Sequence, residues 1–366
     1  MKKILYSIII IGLAQFGIAQ APNGYYNTAT GTGYTLKTQL YNIIKNHNTK
    51  SYNQLWGLYT GNPNAFNDNW YDSGQQNTIM DIYSENPSGP DPYNYIPGTN
   101  QCGNYSGEGS CYNREHLIPQ SVFNQNSPMV SDPFHIWPTD GKVNGERGNY
   151  PFGVVGTTTF TSRNGSKRGN NLNSGYSAGY SGIVFEPLDE FKGDIARAYF
   201  YFATRYQENG IQNWNYAMFN GTKDKVFTDT FLKILMTWHV NDPVSPREIQ
   251  INNAIYIYQN NRNPFIDNPE YAQKIWGYNL GSLDFISQER NYIDIFKKNN
   301  TTYTITTKQP KSVINDIYIY NINGQIIQKI NNNSQQKSID IVLHNKGVYV
   351  IKIMGNSFEI NKQIII

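Results

Sequence analysis

Tyr112-Asn-Arg-Glu-His-Leu-Ile-Pro119 and Ser131-Asp-Pro-Phe-His-Ile-Trp-Pro-Thr-Asp-Gly-Lys-Val-Asn-Gly-Glu-Arg-Gly-Asn-Tyr-Pro-Phe-Gly153 decide how this chain is read. In the first stretch Glu115 stands beside His116, and Pro119 ends strand pairing because it brings no N–H to the ladder. Successive side chains of a regular strand face opposite ways. Glu115 and His116 therefore share a site only at a strand end or a bulge, and Pro119 favours an end. In the second stretch Asn144 can offer a carbonyl oxygen to a metal. Arg147, one helical turn further on, can grip a phosphate oxygen bidentately, and Asn149 is close by. Taken alone, the second stretch also reads as a Gly-rich loop whose Asn side chains satisfy turn backbone.

A carboxylate beside an imidazole allows two chemistries. Glu115 can bind a hard cation while His116 takes a proton, or both can bind zinc. Zinc is the poorer reading, since the pattern of two His at i and i+4 with Glu between them is missing. One carboxylate with neutral oxygen ligands suits Mg²⁺, which keeps several waters and often engages phosphate, with Mn²⁺ or Ca²⁺ as alternatives. Of the five histidines, His135 in DPFHIWP reads as a buried, hydrogen-bonded support, with Asp132 as its neighbour or a turn cap. His239 reads as a helix cap, and His47 and His344 as surface residues.

Outward from these stretches, composition narrows the class. The chain has 366 residues, 39% hydrophobic and only 16% charged, with 29 Tyr and 14% aromatics. That length suggests two domains, and the aromatic content excludes long-range disorder. Met1–Gln20 has a basic start (Lys2, Lys3), an apolar core over Ile4–Gly12 and small residues at Gly17 and Ala19, the anatomy of a signal peptide. It is the one long uncharged apolar run, so a multispan membrane protein is excluded and no stable membrane insertion follows cleavage. Two cysteines rule out a disulfide-dense scaffold, and outside the cytoplasm Cys102 and Cys111 are expected to pair. Net charge is +3 overall, but Asn291–Ile366 carries +5 and residues 20–290 carry −4. A polyanion must then be gripped by a few local cations or a metal, because bulk charge will not do it.

The expected architecture is α+β: a signal peptide over 1–20, a mixed domain over 21–290 and a small all-β sandwich over 291–366. Tyr34–His47 predicts a helix opened by Thr35, Thr78–Ser84 a strand and Ser88–Gly107 a loop. Pro187–Gln207 predicts a helix with Ile195, Tyr199, Phe202 and Tyr206 on one face and Asp194 pairing with Arg197. Phe231–His239 and Arg247–Tyr258 predict further helices, the latter with Ile251, Ala254, Ile255 and Tyr258 inward. Arg163, Lys167 and Arg168 form a basic cluster in a predicted loop. Beyond Asn291, alternating runs such as DIYIYNINGQII and GVYVIKI are separated by turn signals, with Asn323-Gly324 marking a hairpin. This C-terminal stretch, Ile293–Ile366, resembles the sorting domain of the type IX secretion route, on IYNINGQII, GVYVIKI and the terminal NKQIII. That resemblance implies the secretion machinery as a partner and a secreted or cell-surface location.

YNREHLIP followed by DGKVNGERGNYPFG resembles the secreted endonuclease I family, whose site is the ββα-metal (His-Me finger) motif. The resemblance continues through Val184–Tyr206 and Trp238–Asp267. It implies a ββα unit within a mixed α+β body. It also implies His116 as general base, and Glu115 and Asn144 as ligands of one divalent cation. The family's transition-state arginine has no counterpart here, because no Arg lies between Leu117 and Lys142; Arg114, Arg147 and Arg168 are the substitutes for substrate binding. The implied activity is metal-dependent, largely sequence-nonspecific hydrolysis of DNA or RNA to 5′-phosphate ends, by a monomer. A His pKa near 6.5 suits that base, and the other ring nitrogen needs an orienting acceptor. The rival readings are a non-catalytic surface binding module, favoured by the Tyr- and Asn-rich composition, and an inactive nuclease relative.

Overall fold

Leu36, Leu40 and Ile44 repeat at four-residue spacing and are fully buried, which makes one face of the first helix, α1 (Gly33–Ile44). The computed structural model describes residues 21–61, 65–71, 77–277, 293–299, 301–308, 312–321, 325–332, 334–343, 348–356 and 359–365. The signal peptide, the Asn323-Gly324 turn, His344 and the expected 290/291 boundary lie outside the described residues. The chain divides into two compact units after Trp276.

In the first unit α1 is followed by α2 (Gln54–Thr60), β1 (Tyr112–His116), β2 (Ile136–Asp140), α3 (Gly141–Arg147), β3 (Val155–Thr161), β4 (Lys167–Asn171), β5 (Ile183–Glu186) and α4 (Lys192–Arg205). Then come α5 (Asp229–Asn241), α6 (Pro246–Gln259), α7 (Pro264–Asp267) and α8 (Glu270–Trp276). β1 and β2 pair antiparallel with Glu115 opposite Trp137 and His116 opposite Ile136. β3, β4 and β5 form a second antiparallel sheet. All 14 residues of α4 are buried, so the expected one-faced stripe is in fact a central helix. Glycine helps to admit its neighbours: a Cβ on Gly193 would come within 2.0 Å of the Asp242 carbonyl oxygen. α6 begins with a capping box, Ser245 with Glu248, and Pro246 at its first position.

Several expectations are corrected. Thr78–Ser84 is a turn whose Ile79 makes only an isolated bridge to Asn67. The Asp81 carboxylate accepts from Tyr83 N at 2.8 Å, and its carbonyl from Glu85 N at 2.9 Å, so side-chain-to-backbone bonding overrides the β propensity of TIMDIYS. α1 starts at Gly33 with Thr32 in the cap position, ahead of Thr35. The Pro187–Gln207 helix is shorter, a 3₁₀ turn over Asp189–Phe191 leading into α4. Lys167 and Arg168 sit on strand β4, where a loop was expected. In α6, Ala254 and Ile255 are buried while Ile251 and Tyr258 are half-buried.

The second unit holds β6 (Ile293–Lys297), β7 (Thr302–Thr307), β8 (Ile314–Asn321), β9 (Ile326–Asn331), β10 (Ser338–Val342), β11 (Val348–Gly355) and β12 (Glu359–Ile365). They form two antiparallel sheets, ordered β10-β7-β6 and β12-β11-β8-β9. Ile305 and Ile341 of one sheet share a buried core with Ile317, Ile319, Ile351 and Ile353 of the other, which is sandwich packing. The strand alternation of the sequence reads directly into this core.

Candidate active site

β2 runs straight into α3, and Asp140 makes the join. Its side chain caps α3 by accepting from Val143 N at 2.7 Å and also accepts from Tyr95 Oη and Gly109 N. Asp140 N in turn donates to Asp81 at 2.8 Å. Burial, with Asp140 beside it, pushes the Asp81 carboxyl up to about 8. The result is a strand–strand–helix unit whose strand end and helix face border one cleft of about 310 Å³. Glu115, His116, Asn144, Asn113 and Arg114 line it. β1 does stop at His116, so a strand end brings the adjacent Glu115 and His116 to one site.

Glu115 is 1% exposed. Its Oε1 accepts from Tyr83 Oη at 2.9 Å and meets Arg147 Nη1 at 3.0 Å. Burial pushes the carboxyl up to about 7, with the Arg147 charge and the Tyr83 hydrogen bond pulling it back down. Asn144 donates its amide to Asn113 Oδ1 at 2.8 Å, which leaves the amide oxygen as its remaining acceptor. A carboxylate oxygen and an amide oxygen on one polar cleft are the hard donor set that Mg²⁺, Mn²⁺ or Ca²⁺ takes, so these residues fit such a cation.

His116 Nε2 lies 3.3 Å from the Val130 carbonyl oxygen. A carbonyl only accepts, so Nε2 carries the proton and Nδ1 keeps a lone pair. This supplies the orienting acceptor that sequence did not reveal. The ring packs against Tyr52 at 5.5 Å and His135 at 6.0 Å between centroids. The expected pKa near 6.5 is corrected: burial, then the neighbouring His135, lower it to about 3. The imidazole is thus neutral across the physiological range, with its Nδ1 lone pair free of a proton.

The loop that supplies Val130 is tied down from below. His135 is fully buried, as expected, with Nε2 at 2.8 Å from the Met129 carbonyl. Asp132 is a hub for four hydrogen bonds. Tyr201 and Tyr206 hydroxyls reach one oxygen at 2.8 and 2.7 Å, and Gln259 and Phe134 N reach the other at 2.9 and 3.1 Å.

The three candidate arginines have separate fates. Arg147 is 1% exposed. Besides Glu115 it donates to the carbonyls of His116, at 2.6 Å, and Leu117. It lines the cleft as well, and these bonds make it a buried brace at the end of β1. Burial opposes its charge, but the Glu115 carboxylate holds its pKa above the ordinary arginine value. Arg168 pairs with Glu146 and lines a neighbouring groove. Arg114 lines the cleft itself; its guanidinium carbon lies 3.5 Å from the Tyr52 ring centroid and 4.4 Å from that of Trp56, and Nη1 donates to Tyr52 O at 2.6 Å.

Cys102 and Cys111 form a disulfide, with Cα atoms 5.8 Å apart, and Cys102 borders the cleft. Asp194 and Arg197 pair at 3.2 Å as expected. His239 is buried with Nε2 2.9 Å from Pro269 O, which replaces the expected cap. His47 is half-buried and accepts from Arg205 at 3.0 Å, where a surface residue was expected. Away from the cleft, Asp68, Glu85 and Asp91 each bring a carboxylate oxygen within 4.8 Å of the others. Sequence reasoning missed Tyr83, Asn113 and Val130. No motif marks them, since Tyr83 and Val130 lie outside the quoted stretches and Asn113 acts only through its partner.

Residues 32–270 match the family described as Endonuclease I, and residues 299–366 match the secretion system C-terminal sorting domain. The chain belongs to the endonuclease I family. It is 33% identical over 257 residues to an extracellular ribonuclease of Bacillus subtilis (strain 168), covering 69% of this chain and 78% of that protein. An extracellular ribonuclease of Bacillus amyloliquefaciens is 32% identical over the same coverage. A solved Bacteroides vulgatus protein with an immunoglobulin-like β-sandwich fold covers 21% of this chain and 87% of that one at 18% identity, with a TM-score of 0.19, too low to bear on the fold. The protein is a secreted nuclease with a C-terminal sorting domain. Its family implies a nucleic acid substrate and, in general, dependence on a divalent metal, and the sorting domain implies a secretion machinery. Among the described residues no helix is long and apolar enough to cross a membrane.

Proposed function

We propose that this nuclease is a divalent-metal-dependent, largely sequence-nonspecific endonuclease that hydrolyses phosphodiesters of DNA or RNA and leaves 5′-phosphate ends. The observation that carries the reading is the convergence of Glu115, His116 and Asn144 on one polar cleft, with the His116 tautomer set by the Val130 carbonyl. The names of the Bacillus relatives favour RNA among the substrates.

Glu115 and Asn144 would hold the cation, whose charge counters that gathering on the phosphate oxygens in the transition state. His116 Nδ1 takes the proton of a water that attacks phosphorus, the P–O3′ bond breaks, and the leaving 3′ oxygen gains a proton from solvent. Arg114, held rigid by Tyr52 and Trp56, faces the phosphate and fills the role that no arginine of the 117–142 stretch can take. Arg147 borders the same cleft but is nearly fully buried. It fixes the carbonyls that follow His116 and so fixes the strand end.

Plasmid and RNA digestion by the mature protein tests the reading. Cleavage with Mg²⁺, its loss in EDTA and a roughly 10²–10⁴-fold slower rate for His116→Ala are expected. Undiminished cleavage in EDTA or in the variant refutes it.

A further inference from the structure

A second groove, of about 710 Å³, opens beside the catalytic cleft and shares Gly148 and Asn149 with it. The two are therefore continuous along the exit of α3. Its described lining contains no carboxylate, and its one cation is Arg168. Its volume falls in the roughly 300–1,000 Å³ range of sites that enclose a small organic ligand.

Three features suit this groove to a nucleotide. Tyr150 is 38% exposed, and it lines the groove together with half-buried Tyr180. Gly148 turns the chain there with φ of 53° and ψ of −129°, a conformation open to glycine and strained for other residues. A Cβ on Gly148 would lie 3.9 Å from the Tyr150 ring, so the turn and the ring are built together. Glu146 is shared by Arg168 and Lys142. One carboxylate between two cations leaves a net positive charge at the groove edge, where a phosphate is favoured.

We propose that this groove binds the nucleotide next to the scissile phosphate as single strand, with its base stacked on Tyr150 and its phosphate met by Arg168. The proposal rests on the catalytic reading for its place on the substrate. Stacking needs an open base face, so the groove favours RNA, single-stranded DNA or a locally unpaired stretch over intact duplex. It tolerates any base, because every base offers a π face.

The test measures binding of a fluorescent single-stranded 12-mer to the full mature protein by anisotropy, with every variant carried on the cleavage-deficient His116→Ala background. Tyr150→Ala is expected to raise Kd about 5- to 100-fold, as loss of one base–aromatic stack does, and Tyr150→Phe to stay within about twofold. Arg168→Gln is expected to reduce the slope of log Kd against log salt by about one. A blunt duplex is expected to lose far less affinity on Tyr150→Ala. An unchanged Kd for Tyr150→Ala, or an equal loss on duplex and single strand, overturns the proposal. Plasmid digestion by the otherwise unaltered protein reads the catalytic reading separately, so a dead enzyme with a working groove is distinguishable from the reverse.

Discussion

Two places in the nuclease unit bury arginine against carboxylate, and they differ in what is left over. Between α4 and α6, Arg197 meets both oxygens of Glu248 and one of Asp194, while Arg247 takes the other Asp194 oxygen. Arg197 also donates to Asp242 O at 2.7 Å. Two cations and two anions pair with each other, and the cluster packs helices together. At the end of β1, Arg147 and Tyr83 both address Oε1 of Glu115, and the carboxylate lines a cleft. A buried charge costs free energy unless it is paired. The difference between these clusters is therefore that one is closed upon itself, while the other keeps acceptor capacity at a surface where a cation fits.

Breaking the closed cluster should have the largest effect. Arg197→Met strips Glu248 of its arginine and leaves Asp194 with Arg247 alone; it is expected to lower the unfolding free energy by about 3–5 kcal/mol, read by urea denaturation, with the cleavage rate per folded molecule unchanged. A comparable fall in that rate would mean that the helix cluster is part of the site. At the open cluster the pattern reverses. Asn144 is half-buried and gives one hydrogen bond, so Asn144→Ala is expected to cost at most about 1.5 kcal/mol of stability while slowing cleavage at least 10–100-fold. Rate and stability falling in proportion would make Asn144 structural.

A pH-dependent effect concerns a third buried charge that has no carboxylate bonded to it. Lys37 is 1% exposed and donates to Gln207 Oε1 at 3.2 Å and Lys223 O at 2.7 Å. Burial lowers its pKa to about 7, against about 10.4 in an unfolded chain. Between these values the unfolded state holds more protons, so this residue makes stability rise with pH from about 7 towards 10 and leaves its full cost in place below 7. Lys37→Met is expected to flatten that slope in thermal unfolding followed against pH. An unchanged slope assigns it to other groups.

How much of this was legible depended on whether a residue's role is local. Glu115, His116 and Asn144 were legible because strand alternation, Pro119 and one helical turn are short-range rules, and the capped start of α3 obeys them. The C-terminal sandwich was legible because alternation in runs such as IYIY survives in its core. Thr78–Ser84 misled because Asp81 binds its own backbone and that of Asp140, a partner 59 positions away. The burial of Arg147 was not legible because a guanidinium beside a Gly-rich turn looks solvated until Phe152, Glu115 and two carbonyls close around it. The depressed pKa of His116 has the same origin, since burial is a property of the assembled fold.

The imidazole proposed as base takes its bearing from a carbonyl on a loop that Asp132 anchors to Tyr201, Tyr206 and Gln259. Its aim is therefore set by residues that do not line the cleft. A directed-evolution campaign confined to residues around the cleft would leave that alignment untouched, whereas trimming the end of α6 would detune the nuclease from a distance.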